Sequence, residues 1–235
     1  SMHYNVAKDF LKHNIHVLIE KPITKTLTEA DELITMAQER GLILQVGHIE
    51  RFNSAVMAVE PYLKTPKFIE CQRLGPFHAR VKDVGVVLDL MIHDIDIVLG
   101  LIKKEVVSIE AVGLSTISDY EDVANVRLTF EDGIIADITA SRVTKDVVRK
   151  MRIFQEDSYL SLDYVTQDVT VFRKAGDKLL TEKIRIRKKE PLKKELKSFI
   201  ECVRTGKRPL VSGVEGRRAL QVALEIIKKI TPVKH

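Results

Sequence analysis

The sequence predicts a mixed α/β protein with two parts, a small parallel unit followed by a larger and mainly antiparallel open sheet. Over residues 4–46, short apolar runs alternate with helical patterns, which is typical of buried parallel strands joined by helices. Later strands alternate apolar and polar residues, as Ile184 and Ile186 do with Arg185 and Arg187. Such alternation is typical of an antiparallel sheet with one face in contact with water.

In the first fifty residues, the pattern predicts a helix over residues 4–13, a strand over 16–19 and a strand over 42–46. Between the strands we expect a helix with Thr28 as its N-cap and Asp31 completing a capping box. This helix should run to about Arg40 and end at Gly41. A parallel sheet of two strands leaves unpaired backbone groups at both edges and is not expected to be stable alone, so the pattern indicates the later half of a doubly wound unit.

The remaining elements are predicted from apolar periodicity and turn signals, such as the hairpin turn Glu131-Asp132-Gly133. Helices are expected over residues 53–62, 86–102, 191–205 and 213–230. Strands are expected over residues 67–74, 106–114, 123–130, 134–141, 150–155, 159–163, 168–173 and 180–187.

Composition restricts the class of protein. The chain has 235 residues, 45% hydrophobic residues and a formal net charge of +5, which predicts an ordered globular protein. With no Trp and 6% aromatic residues, the modest charge does not indicate nucleic-acid binding, and the basic run 183–194 is interpreted as a solvated face. Cys71 and Cys202 fit no metal spacing and are expected as buried free thiols. No leader or membrane segment is predicted, so we expect a cytoplasmic location.

Lys21 is the first candidate for chemistry, because Glu20-Lys21-Pro22 directly follows an apolar strand. Open α/β sheets bind ligands at the carboxyl ends of their parallel strands. Pro22 restricts Lys21 to an extended backbone, and a lysine held there can hydrogen-bond a substrate hydroxyl or exchange a proton with it. The alternative interpretation is a solvated loop lysine.

Asp89 and His93 lie four residues apart on a helix that is otherwise almost wholly apolar, so both are expected on one face. An imidazole next to a carboxylate is suited to proton transfer near neutral pH. Asp96 returns to the same side, which leaves a metal site as a weaker alternative. A core histidine with a local hydrogen bond is the other alternative.

The segment Gly47 to Asn53, GHIERFN, follows the second parallel strand and should lie at the same sheet edge as Lys21. We expect it to contribute to substrate binding through His48, Arg51 and Asn53. Arg51 is suited to hold a phosphate or carboxylate with two hydrogen bonds. For Asn53, capping of the next helix is the favoured role.

The ordered segments EKP, GHIERFN, DLMIHDIDIV and VSGVEGRRALQVALEI resemble the Gfo/Idh/MocA family of NAD(P)-dependent sugar oxidoreductases, over essentially the whole chain. The resemblance implies a Rossmann unit for NAD or NADP and an open-sheet domain that covers the substrate. It implies that Lys21, His93 and Asp89 are catalytic, and that Glu20 and Pro22 lie along the nicotinamide ribose with Lys21. The GHIERFN and RLGPF segments are most similar to members that act on nucleotide-linked amino sugars. A homo-oligomer formed through the sheet is also implied.

The chain departs from the family pattern because it contains no Gly-x-Gly-x-x-Gly turn. We therefore expect residues 1–48 to be a truncated Rossmann remnant and residues 49–235 to be the substrate-binding and dimerisation domain. Without the phosphate-binding turn, this chain alone is expected to bind dinucleotide weakly or to be inactive. The alternative hypothesis is a non-catalytic ligand-binding or assembly protein that associates through its sheet.

Overall fold

The computed structural model describes residues 2–77 and 83–230. Six helices lie in these residues: α1 (His3–Lys12), α2 (Leu27–Glu39), α3 (Ser54–Val59), α4 (Ile92–Ile102), α5 (Pro191–Thr205) and α6 (Gly213–Lys229). The strands are β1 (Val17–Glu20), β2 (Leu44–Gly47), β3 (Pro66–Leu74), β4 (Val106–Leu114), β5 (Val123–Phe130), β6 (Ile135–Ser141), β7 (Val148–Gln155), β8 (Ser158–Asp163), β9 (Asp168–Ala175) and β10 (Lys178–Lys183). This mixed α/β architecture confirms the predicted fold class.

The strands form two sheets. β1 and β2 make a parallel pair, with Glu20 opposite Gly47 at the carboxyl ends. The other eight strands form one open sheet in the order β10-β9-β8-β7-β3-β6-β5-β4. All its neighbouring pairs are antiparallel except β3 with β6. The sheet is therefore mainly antiparallel, as the sequence predicts.

The start of α2 differs from the prediction. The N-cap is Thr26, whose side chain accepts a hydrogen bond from the backbone N–H of Glu29, and Glu29 completes the capping box. Thr28 and Asp31 lie inside the helix, so the predicted cap is wrong by two residues. Both threonines are followed three residues later by an acidic residue, so the sequence signal was ambiguous.

Two other predicted elements are shorter than expected. The helix predicted over residues 53–62 ends at Val59 and continues as a 3-10 turn, because Pro61 has no N–H to donate within an α-helix. The last strand ends at Lys183 instead of residue 187. Its partner β9 begins at Asp168, so the last hydrogen bond between the two chain segments is donated by the N–H of Ile184 to the carbonyl of Val169.

The long apolar helix predicted over residues 86–102 contains a π-helical segment followed by an α-helix. Residues Val87–Met91 form a π-helical turn, and α4 follows from Ile92. A π-turn inside an α-helix changes the direction of the side chains that it carries, and such turns are frequent at functional sites. No sequence signal distinguishes it from an ordinary helical turn.

Two hydrophobic cores result from this arrangement. One lies between the large sheet and the helices α3, α4 and α6, and the other surrounds β1 and β2. Helix α6 belongs to both, because Leu220 packs in the smaller core while Val222 and Ile226 pack in the larger one. A Cβ on Gly216 would lie 2.5 Å from a methyl group of Val46, so this position of α6 needs glycine. Among the described residues, no helix is long and apolar enough to cross a membrane.

Candidate active site where the two sheets meet

Lys21 lies at the carboxyl end of β1, and its peptide bond to Pro22 is cis. Its ammonium group donates a hydrogen bond to the backbone carbonyl of Asp89 and lies 3.6 Å from the Asp89 carboxylate. The side chain is 18% exposed. Burial lowers the pKa of Lys21, and the Asp89 carboxylate opposes this effect. The lysine is thus held at the start of the helical segment that carries His93.

His93 keeps part of its surface exposed, while its Nδ1 is buried with no hydrogen-bond partner among the described residues. Burial lowers the pKa of His93 well below its ordinary value, and the positive charges of Lys21 and Arg73 lower it further. The imidazole is consequently neutral near pH 7. A neutral imidazole is able to accept a proton from a bound hydroxyl.

A buried ion network, which the sequence did not reveal, lies next to this histidine. The Arg73 guanidinium binds Asp94 with two hydrogen bonds of 2.7 and 3.1 Å, and it donates a third, of 2.9 Å, to Glu50. Burial acts against the charge of Arg73, but the two carboxylates outweigh it and raise the arginine's pKa. The guanidinium also lies 5.4 Å from the ring centroid of Tyr164. The network fixes β3 to α4 directly after His93.

His48 and Arg51 both lie beside Asp96. The His48 ring is 1% exposed, and its Nδ1 lies 3.9 Å from Asp96 Oδ2. Arg51, which is 12% exposed, donates from Nη1 to the backbone carbonyl of Asp96 and lies 3.4 Å from its Oδ1. Substrate binding by His48 and Arg51 stays a prediction, and these internal contacts do not favour it.

Asn53 is used for structure. Its Oδ1 accepts a hydrogen bond from the backbone N–H of Ala55, which confirms the predicted cap of α3. Its Nδ2 donates to Glu50 and to the carbonyl of Tyr164, and the residue is 3% exposed. A contact with substrate would require Asn53 to exchange these bonds, so that role also stays a prediction without support from the geometry.

The residues that were expected beside a nicotinamide ribose, Glu20, Lys21 and Pro22, lie at the carboxyl end of β1, next to the end of β2. Glu20 is exposed, and its carboxylate passes directly over Gly47, where a Cβ would lie 2.9 Å from Glu20 Oε2. An exposed carboxylate at this edge is available to accept hydrogen bonds from ribose hydroxyls. The residues present therefore fit the nicotinamide end of a dinucleotide. Within the described ranges, no group of three His, Cys, Asp or Glu side chains is arranged to hold a metal.

Arg149 is a second side chain that the sequence did not single out. It lies on β7 opposite Arg73 of β3, so both side chains leave the same face of the sheet. Arg149 is exposed and has no ion-pair partner among the residues that the structure describes, and its charge acts on both His93 and Asp94. Within the described residues it is therefore an unpaired cation whose charge reaches the histidine.

This combination defines a class of protein. A βα unit with Glu20 and Lys21 at the carboxyl end of β1, joined to an open-sheet unit whose helix α4 supplies a neutral histidine, is the arrangement of a two-part nicotinamide-dependent oxidoreductase. Family models agree with this class. Residues 1–48 match the oxidoreductase family with an NAD-binding Rossmann fold, and residues 47–160 match the GFO/IDH/MocA C-terminal domain. The chain belongs to the Gfo/Idh/MocA family of oxidoreductases.

Individual relatives support this assignment. The chain is 36% identical to UDP-N-acetylglucosamine 3-dehydrogenase of Acidithiobacillus ferrooxidans over 233 residues, which are 96% of this chain and 74% of the relative. It is 26% identical to scyllo-inositol 2-dehydrogenase (NAD(+)) of Bacillus subtilis over 242 residues, which cover 95% and 71% of the two chains. A solved structure of the Acidithiobacillus enzyme superposes with a TM-score of 0.93 over 98% of this chain and 75% of that one.

Proposed function

We propose that this protein oxidises a hydroxyl group of a nucleotide-linked sugar and uses NAD or NADP as the hydride acceptor. The observation that carries the proposal is the meeting of Lys21, from the first sheet, with the segment of Asp89 and His93 that packs on the second. The name of the Acidithiobacillus relative supports a UDP-linked amino sugar as the substrate class. A cytoplasmic location remains a prediction.

The roles of the side chains follow from their charges. When bound, the nicotinamide supplies the hydride-accepting carbon. Lys21 donates a hydrogen bond to the oxygen that is being oxidised, and the Asp89 carbonyl and carboxylate hold its ammonium group in position. His93, kept neutral by burial, accepts the hydroxyl proton. Glu20 and Pro22 line the edge where the nicotinamide ribose would lie.

Arg149 supports a phosphate-bearing substrate. Guanidinium groups bind phosphate oxygens through paired charge-assisted hydrogen bonds. Arg149 is exposed, its charge acts on His93, and it forms no ion pair with a carboxylate among the described residues. We assign it to the diphosphate of a nucleotide sugar, in place of the predicted contact from Arg51.

Turnover of UDP-N-acetylglucosamine tests the proposal, with NAD+ or NADP+ at millimolar concentration because the chain contains no Gly-x-Gly-x-x-Gly turn and is expected to bind dinucleotide weakly. Lys21→Met and His93→Asn should each lower kcat/KM by about 10²- to 10⁴-fold without unfolding the protein. Lys178→Met and His13→Asn are matched controls and should leave turnover unchanged. Both side chains are exposed; Lys178 lies on the edge strand β10, and His13 follows α1 and precedes β1, whose opposite end carries Lys21. Wild-type turnover by both site variants would exclude the assignment.

The second candidate is a non-catalytic ligand-binding or assembly protein. Four half-buried aromatic rings stack on the open face of the large sheet, and a face of this kind suits association. Calorimetric titration with NADH, NADPH and nucleotide sugars separates the two candidates. Micromolar binding of either dinucleotide would exclude the non-catalytic function, and the absence of heat with both even at millimolar concentration would favour it.

A further inference from the structure

We propose that His48 and Asp96 form a relay that carries the substrate proton from His93 to a cavity between α4 and α6. The inference rests on the proposed oxidation, because that reaction produces the proton to be carried. It uses three side chains in which four buried polar atoms have no hydrogen-bond partner among the described residues. Those atoms are His93 Nδ1, His48 Nδ1, His48 Nε2 and Asp96 Oδ2.

The first step of the relay joins the two histidines. Their ring centroids are 6.2 Å apart, and the ring planes meet at 84°, so one ring presents its edge to the other. Buried polar groups in folded proteins almost always have a partner, in many cases an ordered water. At this separation, a single water is able to accept from one ring nitrogen and donate to the other.

The second step joins His48 to Asp96. The distance of 3.9 Å between His48 Nδ1 and Asp96 Oδ2 is too long for a direct hydrogen bond, so a bridging water or a small shift of the side chain is required. The other carboxylate oxygen lies 3.4 Å from Arg51 Nη1. This contact holds the carboxylate in place and leaves Oδ2 directed toward His48.

The relay ends at a cavity of about 480 Å³. Asp96 lines this cavity together with Arg51 and with charged residues at its rim, which are Lys103, Glu105, Glu215 and Arg218. A proton that reaches Asp96 can therefore pass to water there. This exit is useful because a bound sugar and nicotinamide would cover the exposed edge of His93 and exclude solvent from it.

The chemistry balances without a further reactant. Oxidation of the carbinol breaks its C–H bond, and a bound nicotinamide would accept the hydride with its electron pair. The O–H bond breaks as the C=O bond forms, and its proton passes to His93. His93 then releases one proton through His48 and Asp96 to solvent, so the enzyme returns to its starting state.

The proton affinities of the three groups are compatible with transfer between them. Burial lowers the pKa of both histidines, and burial raises the pKa of Asp96. These shifts bring the carboxyl and imidazole values closer together, which favours transfer in either direction. Other charged groups that act on these three side chains are Lys21, Arg73, Arg149, Arg51, Glu20 and Glu215.

The first test does not depend on activity. A high-resolution crystal structure of the protein should contain ordered water between the His93 and His48 rings, and either an ordered water or a direct hydrogen bond between His48 and Asp96 Oδ2. The relay would be overturned if the structure showed no ordered water at either place and no direct hydrogen bond between His48 and Asp96 Oδ2. This outcome is separate from the proposed function, which fails if the wild-type protein does not oxidise any nucleotide sugar.

The second test is kinetic. In His48→Ala and Asp96→Asn, kcat should fall by about tenfold or more while KM changes less than about twofold, and the solvent deuterium isotope effect on kcat should increase. Free imidazole should restore part of the kcat of His48→Ala, which a purely structural role does not explain. If His48→Ala does not fold, His48→Phe keeps the ring volume and should show the same loss and isotope effect.

Glu195→Gln is the matched control for the kinetic test, because Glu195 is a buried carboxyl residue outside the relay, and its Oε1 also has no partner among the described residues. Its kcat and isotope effect should equal those of the wild type. Wild-type kcat and isotope effect in Asp96→Asn and in the folded His48 variants would overturn the relay.

Discussion

At the scale of single residues, the buried Arg73 is the side chain on which the stability of the site depends most. It is 3% exposed, and its charge is balanced only by Asp94 and Glu50 among the described residues. Removing one partner of a buried ion pair costs more than the pair contributes, because it leaves an uncompensated charge away from water. The network therefore positions α4, and with it His93, with little tolerance for substitution.

Asp94→Asn should destabilise the protein by about 3–5 kcal/mol, because the neutral amide does not compensate the Arg73 charge. Denaturant unfolding measures this loss. The control is Asp137→Asn, which breaks the two-bond pair with Arg127 on the exposed face of the sheet and should have a much smaller effect. Equal losses in the two variants would contradict the role assigned to the Arg73 network.

Glu195 should make stability depend on pH near neutrality. Burial, followed by the charge of Glu20, raises its pKa from 4.5 to about 7. The folded state holds this proton more tightly than the unfolded state. Glu195 therefore contributes to the free energy of unfolding, and this contribution is fully present below about pH 4.5 and is lost as pH rises through 7.

Glu195→Gln does not titrate, so its stability relative to wild type should increase between about pH 5 and pH 8, by on the order of 2 to 3 kcal/mol. Unfolding free energies of both proteins across this range check the prediction. A constant difference between them would show that the Glu195 carboxyl ionises normally.

Sequence reasoning selected some residues of the candidate site and missed others. The motif order was enough to select Lys21, Asp89 and His93, and the structure brings Lys21 to the segment that carries the other two. It did not select Arg149, because one arginine on a polar strand resembles any other until the register with Arg73 is known. Burial of His48 was also not predictable, since it depends on packing between distant segments.

At the scale of elements, local signals predicted helix boundaries well where one cap was possible. Helix α5 begins and ends as expected, with Pro191 at its first position and Gly206, at φ of 70°, after its end. Helix α2 offered two possible caps, and the sequence alone favoured the wrong one. The π-turn before α4 was not predictable, because it has no characteristic sequence.

The cap of α2 gives a direct test. Thr26→Ala should cost about 1 kcal/mol, because the Glu29 N–H loses its side-chain acceptor. Thr28→Ala is the matched control, and it should change the free energy of unfolding very little, since this exposed side chain lies within the first turn. If Thr28→Ala lowered the free energy of unfolding more than Thr26→Ala, Thr28 would be the N-cap, as the sequence predicted.

At the scale of the whole molecule, the open face of the large sheet is where association is expected. Phe68, Phe154, Tyr159 and Phe172 stack in a row with centroid distances of 5.6, 5.5 and 4.2 Å. They alternate with core residues such as Ile153 and Val171, so they lie on the face opposite the core. This row could not be predicted from the sequence, because the alternation of apolar and polar residues does not show which strands are neighbours in the sheet.

Phe154→Asp should convert a sheet-mediated oligomer into a monomer, because it places a charge in the middle of the aromatic row. Sedimentation equilibrium at micromolar concentration measures the mass. Val165→Asp places the same charge in the turn after β8 and should keep the wild-type mass. If all three proteins sediment as monomers, the predicted association through the sheet is wrong.

Helix α6 has a consequence for how the chain acquires its structure. The smaller core around β1 and β2 contains Val211 and Leu220, which come from the last thirty residues of the chain. We therefore expect that the first 48 residues do not fold on their own, although a family model ends there. Val211 and Leu220 must therefore be synthesised before this core can close, and both cores should unfold together in a single cooperative transition.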